Sequence, residues 1–366
     1  MIPFFYTYID KTAKREIAKV LETTFLSDGE VVREFEESLA ATLGIMNPVA
    51  VNSGTSALHL ALDAAGIGKG DEVICPGQTF IATGMAIMYL GAKPVFADID
   101  HETGNIDPRS IEKKINKKTR AILTVDWGGY PCDYREIKSI AEKYQLKLIE
   151  DAAHALGATY GGVPAGNIAP YTCFSFQAIK HLTTGDGGAV CCQERADADT
   201  VRAKRWFGID RKNSRSSILG ERIYEVAEIG YKYHMNNYAA ALGLANLRTV
   251  KKRLARRRKI AGRYRKSLEK ISGIHLFNYR DDRESAYWLF GFQVERREDF
   301  INAMRDRGIA TSVVHQRIDR NPVFGGMTKD LVNQERFDRT QINIPLHDGL
   351  RDEDVEYIIE SVRKGW

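Results

Sequence analysis

The 366 residues predict an α/β protein in three layers, with helices on both faces of a mostly parallel sheet and a smaller C-terminal α+β lobe. Three observations carry that expectation. From residue 48 to residue 192, short apolar runs alternate with amphipathic stretches of helical length, the pattern of parallel strands joined by helices. A single amphipathic stretch over 244–271 then reads as a link between lobes. Beyond it, 286–294, 296–307 and 309–315 read as strand, helix and strand, closed by a helix over 352–364. The expected units are 1–245, a large domain with an N-terminal helical segment, and 246–366.

The elements follow in order. Ile17, Val20 and Leu21, then Phe35 and Leu39, place helices over 11–24 and 30–43, with Leu26-Ser27-Asp28-Gly29 as the turn between them. Val49-Ala50-Val51 reads as a buried strand, followed by Asn52-Ser53-Gly54-Thr55-Ser56 and a helix over 57–65. Strands are expected at 72–75, 94–98, 120–125 and 146–150, with helices at 81–90, 108–116 and 133–144. Tyr171 to Phe176 and Ala189 to Cys192 are two further strands around a Gly-rich crossover. The helix over 244–271 carries Lys251-Lys252-Arg253 and Arg256-Arg257-Arg258-Lys259. This basic run reads as a solvated face, because no aromatic interleaving or nucleic-acid motif accompanies it. Residues 207–229, with Arg211, Lys212 and Arg215, read as a mobile excursion whose cations suit a diphosphate.

Composition narrows the class. A hydrophobic share of 43% with 28% charged residues fits a folded soluble protein. The net charge of +5 suits an anionic small molecule at least as well as nucleic acid. Five cysteines without a spaced framework point to a reducing compartment, and no Cys/His spacing supports a metal site. The N-terminus lacks the basic and apolar segments of a signal peptide, and no apolar run approaches the ~20 residues that span a bilayer. The expectation is a cytoplasmic protein.

Three features gather at the strands' carboxyl ends, where ligands bind in such sheets. At the strand-to-helix junction, Gly54 lets an anion approach the backbone while Thr55 and Ser56 add hydroxyls; a helix start of this kind binds phosphate, or is simply capped. Asp151 stands just past a buried strand end and needs a cationic partner, which a protonated heterocycle or an arginine would supply. His154, three residues on, would hydrogen-bond a ligand or cap the loop. Lys180 sits in a tight turn with Thr183-Thr184-Gly185-Asp186-Gly187-Gly188, with Ser175 five residues before it. An ammonium held there must be neutralised, paired or used covalently, and a deprotonated lysine adds to aldehydes. Pyridoxal 5'-phosphate requires this set: an anion cradle, a carboxylate for the pyridine nitrogen and an amine for the aldehyde. Phe80 is placed to give the ring an aromatic face.

These residues resemble the DegT/StrS-type sugar aminotransferases, which share the fold of aspartate aminotransferase (fold type I). The resemblance covers nearly the whole chain. It rests on Phe35-Glu36, Asn52 to Leu58, Pro76-Gly77-Gln78-Thr79-Phe80-Ile81-Ala82-Thr83, Glu150 to His154, Phe174-Ser175-Phe176, Lys180, Thr183 to Gly188, Gly230 to Asn236, and Ala239-Ala240-Ala241-Leu242-Gly243. It implies Lys180 as the lysine that holds the cofactor and moves the proton, Asp151 against the ring nitrogen, and His154 near the ring oxygen. It further implies Gly54, Thr55 and Ser175 at the phosphate, Phe80 on the ring, and a segment 230–236 that crosses to a neighbouring subunit of an obligatory homodimer.

Lys232 and His234 depart from the Asn and Arg of the family's Gly-Tyr-Asn-Tyr-Arg pattern, yet a cation there would still meet the phosphate. Asp126 stands where many members have His. His315, Arg317 and the following Asp319 match the substrate-side loop. The implied activity moves an amino group from glutamate to a keto-sugar, nucleotide-linked, for an amino-deoxysugar of a surface polysaccharide or secondary metabolite. Relatives with His in place of the lysine are sugar dehydratases; the presence of Lys180 favours transamination over that lyase reading, and over a non-catalytic regulator. His181 reads as a loop residue.

Overall fold

The computed structural model describes residues 1–210 and 215–366. Its strands are numbered here where they span three residues or more. The central sheet contains β1 (Pro48–Val51), β2 (Glu72–Pro76), β3 (Lys93–Ala97), β4 (Thr119–Val125), β5 (Lys147–Asp151), β6 (Tyr171–Ser175) and β7 (Gly188–Cys192), in the order β1-β7-β6-β5-β4-β2-β3. Neighbours are parallel from β3 through β6, whereas β7 is antiparallel to both β6 and β1. Six of the seven strands therefore end at the same edge, and the crossover carrying Lys180 turns there.

Strand alternation explains the layers. Val49 and Val51, Val73 and Cys75, and Ala121 and Leu123 enter one core with Leu60 of α3 (Gly54–Ala64) and Ile87 of α4 (Ala82–Tyr89). Ala50, Ile74 and Ile122 enter the opposite core. That core holds Phe35 of α2 (Glu30–Leu43), Ile111 of α5 (Pro108–Lys114), Ile137 of α6 (Tyr134–Lys143) and Ala240 of α8 (Asn237–Leu247). The helices α1 (Ala13–Glu22) and α7 (Arg195–Lys204) complete the layers; α7 was not anticipated from the sequence. Among the described residues, no helix is long and apolar enough to cross a membrane.

The C-terminal third differs from expectation in four places. The stretch over 244–271 is two helices, α8 and α9 (Val250–Leu268), because Thr249 leaves helical geometry with ψ near 4°. The strand expected over 286–294 shrinks to β9 (Phe290–Val294): Tyr287 has φ 50°, and the amides of Ala286 and Leu289 bond to Gly129 O and Gly128 O instead. The strand expected over 309–315 does not form. Ile309 and Ser312 make single bridges, Val314 turns to φ 62°, and β10 (Gln341–Ile344) pairs with β9 in its place. With β8 (Ile274–Leu276) these make an antiparallel sheet β8-β9-β10, packed with α9, α10 (Arg297–Asp306) and α12 (Asp352–Arg363) around Phe292, Phe300, Ile342 and Ile358. A further helix, α11 (Val332–Thr340), leads into β10.

The fourth difference is the basic run. Lys251, Lys252 and Lys259 are exposed as expected, but Arg253 and Arg257 are buried. Arg257 donates to Leu346 O (3.0 Å) and pairs with Asp348 at 3.2 Å. Arg253 donates to Asn246 O (2.9 Å) and to the carbonyl of His181, beside Lys180. Arg258 donates to Gly157 O (2.6 Å) and Ser285 O (3.2 Å). This face of α9 ties the helix to the Lys180 crossover, to Gly157 and to the segment after β10. Removing Arg257 leaves the carboxylate of Asp348 to Arg253 at 3.9 Å, so Arg257→Met should cost about 3 kcal/mol of stability in urea unfolding. Pairing it with Asp348→Leu should restore much of the loss.

Candidate active site

Asp151 closes β5 with its side chain buried. Its Oδ1 accepts the Ala153 N–H (3.1 Å) and its Oδ2 accepts the Thr83 hydroxyl (2.9 Å). Burial pushes its pKa up, while the two hydrogen bonds and the charge of Lys180 oppose the rise. Among the described residues, no arginine forms an ion pair with it, so the arginine alternative falls away and the carboxylate lacks a cation.

Lys180 reaches the same edge from the crossover between β6 and β7. Its Nζ lies 3.7 Å from the centroid of the Trp288 ring. Burial lowers its pKa to about 7, against the pull of Asp151. His154 stacks on Trp288 at 3.8 Å between centroids and 16° between planes, with Trp127 edge-on at 5.6 Å. Burial, then the charge of Lys180, holds His154 well below the ordinary histidine range, so its imidazole is neutral. Among the described residues, its Nδ1 is buried without a hydrogen-bond partner.

The phosphate-type junction is built as a cradle. Gly188 pairs with both Ser175 and Val51, and a side chain on it would collide with Phe174 O and Ser53 O at 2.6 and 2.7 Å. This close approach sets the start of α3 against Ser175. A Cβ on Gly54 would meet Ser175 Cβ at 2.9 Å. Ser53 caps α3 by accepting the Ser56 amide, leaving Gly54 and Thr55 in the first turn, where helix amides lack intrahelical partners. The Ser56 hydroxyl is buried and committed to Asn52 Oδ1 (2.6 Å) and Ser53 Oγ (2.8 Å), so it stabilises the cap.

The remaining expected residues separate into two groups. His315 lies 5.2 Å from the exposed ring of Phe80 and 6.0 Å from His154, centroid to centroid, and burial lowers its pKa to about 4. Arg317 and Asp319 are buried and turned to each other, with Nε–Oδ1 at 2.6 Å and Nη2–Oδ2 at 2.5 Å, bracing the loop. Lys232 and His234 run beside β1, where Asn52 N donates to Tyr233 O (2.8 Å) and Val51 bridges His234. Lys232 Nζ sits over Trp206 at 3.8 Å, and His234 Nε2 is 3.4 Å from Ser27 Oγ. Of the basic excursion, Arg211 and Lys212 lie outside the described residues.

Asp126 follows β4 and is fully buried, with Oδ1 accepting from Tyr134 OH (2.8 Å) and Cys132 N (2.9 Å). Among the described residues, its Oδ2 and Glu150 Oε1 are buried without a hydrogen-bond partner. Burial raises the pKa of both acids, Asp126 to about 6 and Glu150 well above the carboxylate range. His181 donates from Nε2 to Ala286 O (2.9 Å), a structural tie beside the lysine. Sequence reasoning assigned no role to Trp288 or Thr83. Trp288 belongs to an apolar run with no distinguishing spacing; Thr83 is in a quoted motif, but its partner Asp151 is two strands away.

Residues 7–363 match the DegT/DnrJ/EryC1/StrS aminotransferase family. The chain belongs to this family. It is 38% identical to the spore coat polysaccharide biosynthesis protein SpsC of Bacillus subtilis (strain 168), over 99% of this chain and 96% of that protein. It is 34% identical to GDP-perosamine synthase of Escherichia coli O157:H7, over 99% and 98%. The crystal structure of the sugar aminotransferase CalS13 from Micromonospora echinospora superimposes with a TM-score of 0.95 at 34% identity, covering both chains fully. The family member's fold is thus that of the sugar aminotransferases.

The Lys180 geometry has a measurable consequence. Its folded pKa lies below that of a free lysine, so between about pH 7 and pH 10 the unfolded chain binds the extra proton and stability rises with pH. Acylation of the Lys180 amine in cofactor-free protein should show a midpoint near pH 7 by mass spectrometry, while exposed lysines titrate near 10. Lys180→Met should remove that part of the stability slope.

Proposed function

We propose that this aminotransferase binds pyridoxal 5'-phosphate and moves an amino group from glutamate to the carbonyl carbon of a nucleotide-linked keto-sugar. The observation that carries the reading is one sheet edge bearing an amine of lowered pKa and a buried carboxylate that, among the described residues, no arginine pairs. The residues fit the cofactor. The Gly54–Ser175 contact leaves room that a side chain would fill, and Asp151 lacks the positive partner that a pyridinium supplies.

The amides of Gly54 and Thr55 with the Ser175 hydroxyl would hold the phosphate, and Lys232 and His234 are proposed to add positive charge beside it. Asp151 would keep the ring nitrogen protonated, Phe80 would cover the ring, and His154 would meet the ring oxygen. When bound, the cofactor supplies an electron sink for the carbon that loses or gains a proton. Lys180 carries the proton, because an amine with pKa about 7 both accepts and releases it near neutrality. His315 would face the sugar, held there by the Arg317–Asp319 pair.

A homodimer and a cytoplasmic setting belong to the same proposal. Ile218, Leu219, Tyr224 and Ile229 expose apolar surface on the excursion, which supports a second copy as cover. The five cysteines are buried free thiols, in keeping with a reducing compartment.

The test is a screen of 3-keto and 4-keto sugar nucleotides with ¹⁵N-glutamate, read by mass spectrometry. Label should enter the sugar. Lys180→Ala should keep the native circular dichroism spectrum and lose about a thousandfold in turnover. An active Lys180→Ala enzyme, or product formed without consumption of glutamate, would remove the proposal.

A further inference from the structure

Behind Asp151 lies a short hydroxyl relay. Thr83, the second residue of α4, donates to Asp151 Oδ2 at 2.9 Å, and Thr79 Oγ1 lies 2.7 Å from Thr83 Oγ1. Both threonines are 1% exposed. Each hydroxyl has one proton. If Thr83 gives its proton to Asp151, its oxygen is free to accept the proton of Thr79. The Thr79 hydroxyl makes no other hydrogen bond among the described residues. Reversing the relay would leave its proton buried and unmatched, which costs the full desolvation of a donor. The polarity Thr79 to Thr83 to Asp151 is therefore the satisfied one, and it points a donor at Asp151 Oδ2, which favours the ionised carboxylate. The N-terminus of α4 adds the positive end of its dipole on the same side.

We propose that Thr83, backed by Thr79, is a positioning residue that keeps Asp151 ionised and held for the cofactor's ring nitrogen. The inference rests on the cofactor reading above and adds to it the device that maintains the charge. Hydrogen bonds to a charged group are the strong ones, and among the described residues no arginine forms an ion pair with this carboxylate to do the same work.

The test compares binding of pyridoxal 5'-phosphate and of its 1-deaza analogue, which has no ring nitrogen, to cofactor-free protein. Thr83→Val should weaken binding of the natural cofactor by about tenfold or more. It should leave affinity for the deaza analogue at the wild-type level, and Thr83→Ser should recover binding. Thr79→Val, which removes only the backing donor and serves if Thr83→Val does not fold, should weaken the natural cofactor alone and by less. Equal losses on both cofactors would mean a merely structural role and overturn the proposal, as would unchanged binding in Thr83→Val. Failure of the wild-type protein to bind pyridoxal 5'-phosphate would instead overturn the cofactor reading itself.

Discussion

Asp151 is a carboxylate taken out of water and held by an amide and a hydroxyl, and the sheet edge is arranged around the cost of keeping it there. An unpaired buried charge is expensive enough that most side chains would neutralise. Here the compensation is distributed: two hydrogen bonds, the ammonium of Lys180 and the start of α4 all act on one group. The neighbouring acids fit the same constraint. Asp126, just past β4, and Glu150 on β5 each have a buried oxygen without a hydrogen-bond partner among the described residues, and burial raises the pKa of both.

The aromatic side of the site depends on backbone held out of its ordinary range. Tyr287 and Val314 have φ of 50° and 62°, a costly conformation for residues with a Cβ, above all for a β-branched one. Each immediately precedes a ring of the site, Trp288 or His315. The strain is borne because the surrounding contacts over-determine it: the Ala286 and Leu289 amides bond to the Gly128–Gly129 turn, and the Trp288 indole donates to Ile179 O at 3.0 Å. Arg253 and His181 tie the lysine's crossover to α9 and to Ala286. The lysine loop, the Trp288 loop and the linking helix therefore form one mechanical unit, built from elements far apart in the chain.

Much of this was legible in the amino-acid order. The alternation of apolar runs and helical stretches settled the parallel sheet, because strand and helix periodicities are local properties. Gly54, Asp151 and Lys180 stand out for the same reason: a helix start, a strand end and a Gly-rich turn are each written in a few consecutive residues. Tertiary structure alone decided the rest. The pattern of α9 marks an amphipathic helix but does not say that Arg253 is buried against the Lys180 crossover or Arg257 against Leu346 and Asp348, so a run that reads as solvated became a buried clamp. Arg317 and Asp319 could each have met a ligand, and only the fold shows them satisfying one another. Thr83 and Trp288 acquire roles from partners brought alongside by sheet order and lobe docking. Local sequence determines which groups stand at the edge of the sheet; long-range packing determines which groups hold them there, because burial and pairing are properties of the assembled surfaces.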